Sequence, residues 1–97
     1  MAQISALSQS KVQEEVAQLP NWQVKGGKLH AEFRFEDFIE AFAFMTKVAL
    51  AAESAQHHPE WHNVYNRVTI DLVTHDAGDA ISEKDIELAR QIDQFAG

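Results

Sequence analysis

The sequence predicts an α+β domain: a four-stranded antiparallel sheet with three helices packed on one face, in the order αββαββα. Three observations carry that prediction. Gly26 and Gly27 interrupt two extended runs in "WQVKGGKLHAEFRF". From about Glu36 to Gln56 the apolar residues recur with a helical period. A second extended pair, Trp61 to Tyr65 and Arg67 to His75, then precedes a capped C-terminal helix. Paired strands interrupted by helices fit an antiparallel sheet with the helices layered to one side.

Each element has a local reason. The first helix is expected from about Gln9 to Gln18, with Ser8 or Ser10 as its cap, Val12, Val16 and Leu19 along one face, and Pro20 ending it. The hairpin follows because glycine tolerates the positive φ that a two-residue turn demands. Leu29, Ala31, Phe33 and Phe35 alternate with His30, Glu32 and Arg34, the period of a strand with one buried face.

In the central helix only Glu36, Glu40, Lys47 and Ser54 form a polar stripe. Phe38, Phe42, Met45 and Ala49 make one side, while Phe44 and Val48 lie well round the helix from them. A helix apolar over most of its circumference must be covered on more than one side. Further on, Val68, Ile70 and Leu72 share one strand face and Thr69, Asp71, Val73 and His75 the other. The last helix opens with Ser82 as N-cap and Asp85 at the capping-box position, Ile81 stapling onto Ile86, and runs to about Phe95.

Composition narrows the function classes. The 97 residues form one domain, 1–97, without repeat or linker, and at this size stability is readily shared with further copies of the chain. With no cysteine, disulfides, thiolate metal sites and cysteine nucleophiles are excluded. A net charge of −7 with no basic block argues against direct nucleic-acid binding. The opening "MAQISALSQSKVQEEV" has neither the basic start nor the apolar run of a signal peptide, and no stretch has the length of a membrane span, so a cytoplasmic protein is expected.

The chemistry concentrates in "AESAQHHPEWHNVYN", with three histidines in six positions. A purely structural reading exists: His57 and His58 suit a helix C-terminus, Pro59 a helix stop, and Trp61 and Tyr65 a small core. His30 and His62 are read as strand or surface residues without a role. No metal site is expected, because adjacent histidines point apart and no H-E-x-x-H pattern is present. Nor is there a G-x-S-x-G elbow for a serine hydrolase. Proton transfer without a cofactor fits better, since imidazole gives and takes protons near neutrality. Glu53, four residues before His57, is expected beside it on one helix face, favouring the imidazolium.

Glu53, then His57, His58 and Pro59, then Tyr65, His75 and Asp85 together resemble the signature of the pterin-4a-carbinolamine dehydratase family, with "FAFMTKVALAAE" similar to its central helix. The resemblance implies loss of water from a 4a-hydroxytetrahydropterin to give the quinonoid dihydropterin, beside an aromatic amino acid hydroxylase and with no cofactor. By position it implies His57 and His75 as acid and base, His58 orienting the pterin, and Glu53 assisting the neighbouring histidine. Trp22, Trp61, Asn63 and Tyr65 are candidates to border the site, and Asp85 is expected to act as a helix cap. The loop "DAGDA" varies in length in the family, so no contact is carried over from it. The resemblance further implies a homodimer or homotetramer, which would provide the second covering of the central helix around Phe44 and Val48. A non-catalytic alternative follows from it too: a protein-binding dimerisation cofactor of transcription factors.

Overall fold

The computed structural model describes residues 4–97. Helix α1 (Gln9–Val16) is capped by Ser8, whose Oγ accepts from the Lys11 amide at 3.2 Å. It ends short of Gln18. Residues 17–21 turn through backbone bonds from Leu19 to Val16 and from Trp22 to Leu19, which bury Leu19 and deliver the chain into strand β1 (Trp22–Lys25).

The hairpin to β2 (Lys28–Arg34) has Gly26 and Gly27 at φ +61° and +77°, the left-handed pair expected of a tight turn. Helix α2 (Phe38–Ala55) is capped by Asp37 and leads to β3 (Glu60–Val64), β4 (Arg67–Leu72) and α3 (Glu83–Ala96). All pairings are antiparallel in the order β1-β2-β4-β3. The α+β architecture and its element order are as the sequence predicts.

The core lies between the sheet and the helices. Leu29, Ala31 and Phe33 from β2 and Val68, Ile70 and Leu72 from β4 face Ala41, Phe44, Val48 and Ala52 of α2 and Ile86, Ala89 and Ile92 of α3, all buried. Ile81 and Ile86 both enter this core at the start of α3.

Two expectations change. First, Phe44 and Val48 are the inward face of α2, packed against the chain's own sheet with the Phe44 ring 5.2 Å from Phe33. The side left uncovered carries Phe38, Ile39, Phe42 and Leu50. On a helix apolar nearly all round, periodicity cannot choose the inward face. The small side chains of Ala41 and Ala52 let this one approach the sheet.

Second, the last strand ends at Leu72. Its neighbours run out there, since Leu72 pairs with Leu29, one residue from the start of β2, and Asp71 pairs with Glu60, the first residue of β3. Val73 and Thr74 are buried outside the ladder, and His75 opens a 3-10 turn (His75–Ala77) that a Thr74–Ala80 bridge closes.

Candidate active site

The end of α2 sets the position of two histidines. Gln56 adopts a left-handed conformation, φ 52° and ψ 42°, its amide bonding to the carbonyls of Ala52 and Glu53, while the His57 amide reaches Ala52 O at 3.0 Å. This paired 6→1 and 5→2 closure stops the helix and reverses the chain. His57 consequently turns inward, with 9% of its surface exposed, and His58 turns out. The expected Glu53–His57 pair is therefore absent. Helical periodicity ends before position 57, and Glu53 Oε1 instead meets His58 Nε2 at 2.8 Å.

Asp85 on α3 holds His57. It is fully buried; its Oδ1 lies 2.5 Å from His57 Nε2, while Oδ2 accepts from the Thr74 hydroxyl at 2.7 Å and the Ser82 amide at 2.9 Å. The donors can be assigned in order. Thr74 donates to Asp85, so the 2.6 Å bond between the Thr74 and Ser82 hydroxyls is donated by Ser82, whose Oγ also accepts from the Lys84 amide. Oδ2 thus accepts from two donors; an ionised Asp85 then takes an Nε2–H from His57 at Oδ1, and His57 Nδ1 has no hydrogen-bond partner among the described residues. Asp85 is the cap the sequence predicts, with a complete capping box. It is also the partner of a candidate catalytic imidazole, which sequence spacing did not reveal.

His57, His58 and His75 all line one cavity of about 400 Å³, formed by residues 56–60 and 73–76 with Ile4 and Lys84. His75 Nδ1 meets Asp79 Oδ1 at 2.6 Å, and its Nε2 lies 3.9 Å from Glu60 Oε2. The hydrogen bond that Asp79 accepts from the ring, then its charge, holds the His75 pKa above the ordinary histidine value. Glu60 adds to this, while desolvation and Lys28 oppose it. Each of the three imidazoles thus makes a hydrogen bond to a carboxylate through one ring nitrogen, and His75 has a second carboxylate, that of Glu60, 3.9 Å from its other nitrogen. A smaller cleft of about 240 Å³ shares His57 and Lys84 but contains no second histidine. Among the described residues, no three histidine or carboxylate side chains group as metal ligands.

The four residues proposed as a border do not line this cavity. Trp22 is core: its ring lies 6.1 Å from Phe33, and Nε1–H donates to Asp93 Oδ1 at 2.8 Å. Trp61, opposite Ile70, packs partly buried against the core. Asn63 donates to the carbonyls of Tyr65 and Arg67, pinning the β3–β4 turn in which Tyr65 has φ 51°. At about 3.3 Å per residue that turn is roughly 16 Å from the Glu60 end of β3. His30, read as having no role, pairs across strands with Asp71 at 2.9 Å, away from the cavity lining.

Comparison with known proteins adds to this geometry. Residues 5–95 match the family described as pterin 4 alpha carbinolamine dehydratase. The chain belongs to that family. Relatives from Solibacter usitatus and Synechococcus sp. (strain WH7803), both named provisionally as pterin-4-alpha-carbinolamine dehydratases, are each 56% identical to it, over 93% and 92% of this chain and 94% and 95% of theirs. The crystal structure of a transcriptional coactivator/pterin dehydratase from Brucella melitensis superposes with a TM-score of 0.91 at 41% identity, covering 96% of this chain and all of that one. A pterin dehydratase-like protein identified as a RuBisCO assembly factor in the alpha-carboxysome is more distant, with a TM-score of 0.64 at 26% identity over 78% of this chain and 87% of that one. In this dehydratase-family chain, Thr74, Lys84 and Asp79 join the predicted histidines at the site. Asp79, four residues beyond His75, was visible in the sequence as a possible i,i+4 partner.

Proposed function

We propose that the chain removes water from a 4a-hydroxytetrahydropterin by histidine acid/base catalysis. The observation that carries this reading is the meeting of three imidazoles in one cavity, each hydrogen-bonded to a carboxylate through one ring nitrogen. Dehydration needs two proton transfers and no change of oxidation state. The hydroxyl at C4a takes a proton and leaves as water as the C–O bond breaks. The ring nitrogen beside it gives up a proton, and its electrons form the new double bond of the quinonoid dihydropterin.

His75 suits the acid role, since Asp79 favours its imidazolium. In its neutral form His57 suits the base role, with Nε2–H directed to Asp85 and Nδ1 presenting its lone pair. His58, on the exposed rim and held by Glu53, suits binding and orientation of the heterocycle. The chemistry calls for no metal or redox carrier, and the product is what an aromatic amino acid hydroxylase would need regenerated. A homo-oligomer joined through the uncovered apolar side of α2 completes the reading, and an intracellular setting accords with the pterin substrate.

A second reading, protein binding without catalysis, is favoured by one observation: Ile39 and Leu50 on α2 are 77% and 69% exposed. The two are separated by following the absorbance of freshly generated 4a-hydroxytetrahydropterin with wild type, His57→Ala, His75→Ala and buffer alone. The expected result is acceleration over buffer that falls by about 10²-fold or more in each variant. Folded wild type that leaves the spontaneous rate unchanged would refute dehydration and leave the binding reading.

A further inference from the structure

His75 reaches the cavity from an exposed turn, where nothing buried fixes its ring as Asp85 fixes His57. The turn itself supplies the restraint. Backbone bonds from Ala77 to Thr74 and from Gly78 to His75, with the Thr74–Ala80 bridge, close a tight loop. Gly78 and Asp79 sit at φ +79° and +57°, and this left-handed pair folds the chain back so that Asp79 meets His75 Nδ1. Positive φ is disfavoured for a residue with a side chain, although aspartate tolerates it better than most, so the turn holds Asp79 in a conformation the backbone does not prefer.

From this geometry we infer that Asp79 is a positioning residue for the dehydration. It fixes the His75 ring so that Nε2 faces the substrate, and it keeps the imidazole charged as the proton donor. The other charged groups around His75 do not substitute for it. Glu60 of β3 lies 3.9 Å from Nε2, and its other oxygen is bound by Lys28 of β2 at 2.5 Å, which matches its charge. Asp71 of β4 is engaged with His30. From α3, Lys84 lines the same cavity and opposes an imidazolium, as do His57 and His58 when charged. Asp76, in the turn itself, lines the cavity, but the bond to the His75 ring is made by Asp79.

The kinetic part of this inference rests on the dehydratase reading, so the test has an arm that does not. His75 is titrated by histidine-resolved NMR in the full-length wild type, Asp79→Asn and Asp79→Glu, and the pH profile of pterin dehydration is measured on the same three proteins. In Asp79→Asn the His75 midpoint should shift down and the alkaline limb of kcat should shift down with it; Asp79→Glu should restore both in part. An unmoved His75 midpoint in Asp79→Asn overturns the inference. So does a shifted midpoint with an unmoved kcat limb, which would remove His75 from the donor role. A shifted midpoint in a protein whose wild type dehydrates no pterin refutes the dehydratase reading while leaving the Asp79–His75 coupling standing.

Discussion

Asp85→Asn isolates the part of the site that is least visible from outside. The substitution keeps shape and removes charge, and the surroundings decide which way the new amide points. On the Oδ2 side the partners are the Ser82 amide, an obligatory donor, and the Thr74 hydroxyl, so the amide oxygen must stay there. The NH2 is then left facing His57 Nε2 at a site now 2.5 Å from a carboxylate oxygen. His57 must accept at Nε2 and carry its proton on Nδ1, the reverse of the wild-type tautomer. With the base blocked, kcat should fall by about 10²- to 10⁴-fold, equivalent to roughly 3 to 5.5 kcal/mol of barrier. Stability should drop by only about 1.5 to 3 kcal/mol, the scale of one lost charge-assisted hydrogen bond. Asp85→Ala would be less informative, because it strands three buried donors at a cost of about 3 to 5 kcal/mol, enough to threaten the fold. The assays are pterin dehydration, urea unfolding and 15N chemical shifts of the His57 ring. Folded Asp85→Asn with wild-type kcat, or a His57 still protonated on Nε2, would refute the reasoning.

Three further outcomes are expected. Gln56→Gly should stabilise the chain by a few tenths to about 1 kcal/mol in urea unfolding, because it removes the left-handed strain at the end of α2 and that gain exceeds the added freedom of the unfolded glycine. Phe42→Asp or Leu50→Glu should lower the mass measured by light scattering while leaving the monomer fold unchanged by circular dichroism, as both side chains project from the uncovered side of α2. The His75–Asp79 pair should make stability pH-dependent. Its contribution is fully present below the unfolded histidine value of about 6.5 and is lost as pH rises through the raised folded value, so the Tm difference between wild type and Asp79→Asn should vanish at alkaline pH.

The secondary structure was largely legible because its signals are local. Gly26-Gly27, Ser8, Ser82 and the alternation around Leu29 and Val68 each determine a turn, a cap or a strand face within a few residues. The family signature likewise marked His57, His58, His75 and Asp85 without any coordinates. Errors arose where a local rule was carried past the end of its element. Glu53 and His57 obey i,i+4 spacing only if α2 continues, and left-handed Gln56 stops it. His75 alternates with Leu72 only if β4 continues, and both its neighbours end there. Asn63 and Tyr65 follow the histidines closely in sequence, yet an extended strand carries its far end away from the cavity, while Trp61, next to Glu60, packs against the core.

Sequence alone therefore determined the elements, their order and the imidazoles, since hydrophobic period, capping and turn chemistry act over short stretches of chain. Tertiary structure decided which face of α2 packs inward and which carboxylate serves each histidine. Asp85 is 28 residues from His57 along the chain, and only the packing of α3 against the end of α2 brings them into contact. The physical reason is that a buried hydrogen-bond network must be satisfied in space by whichever donors and acceptors the fold brings together.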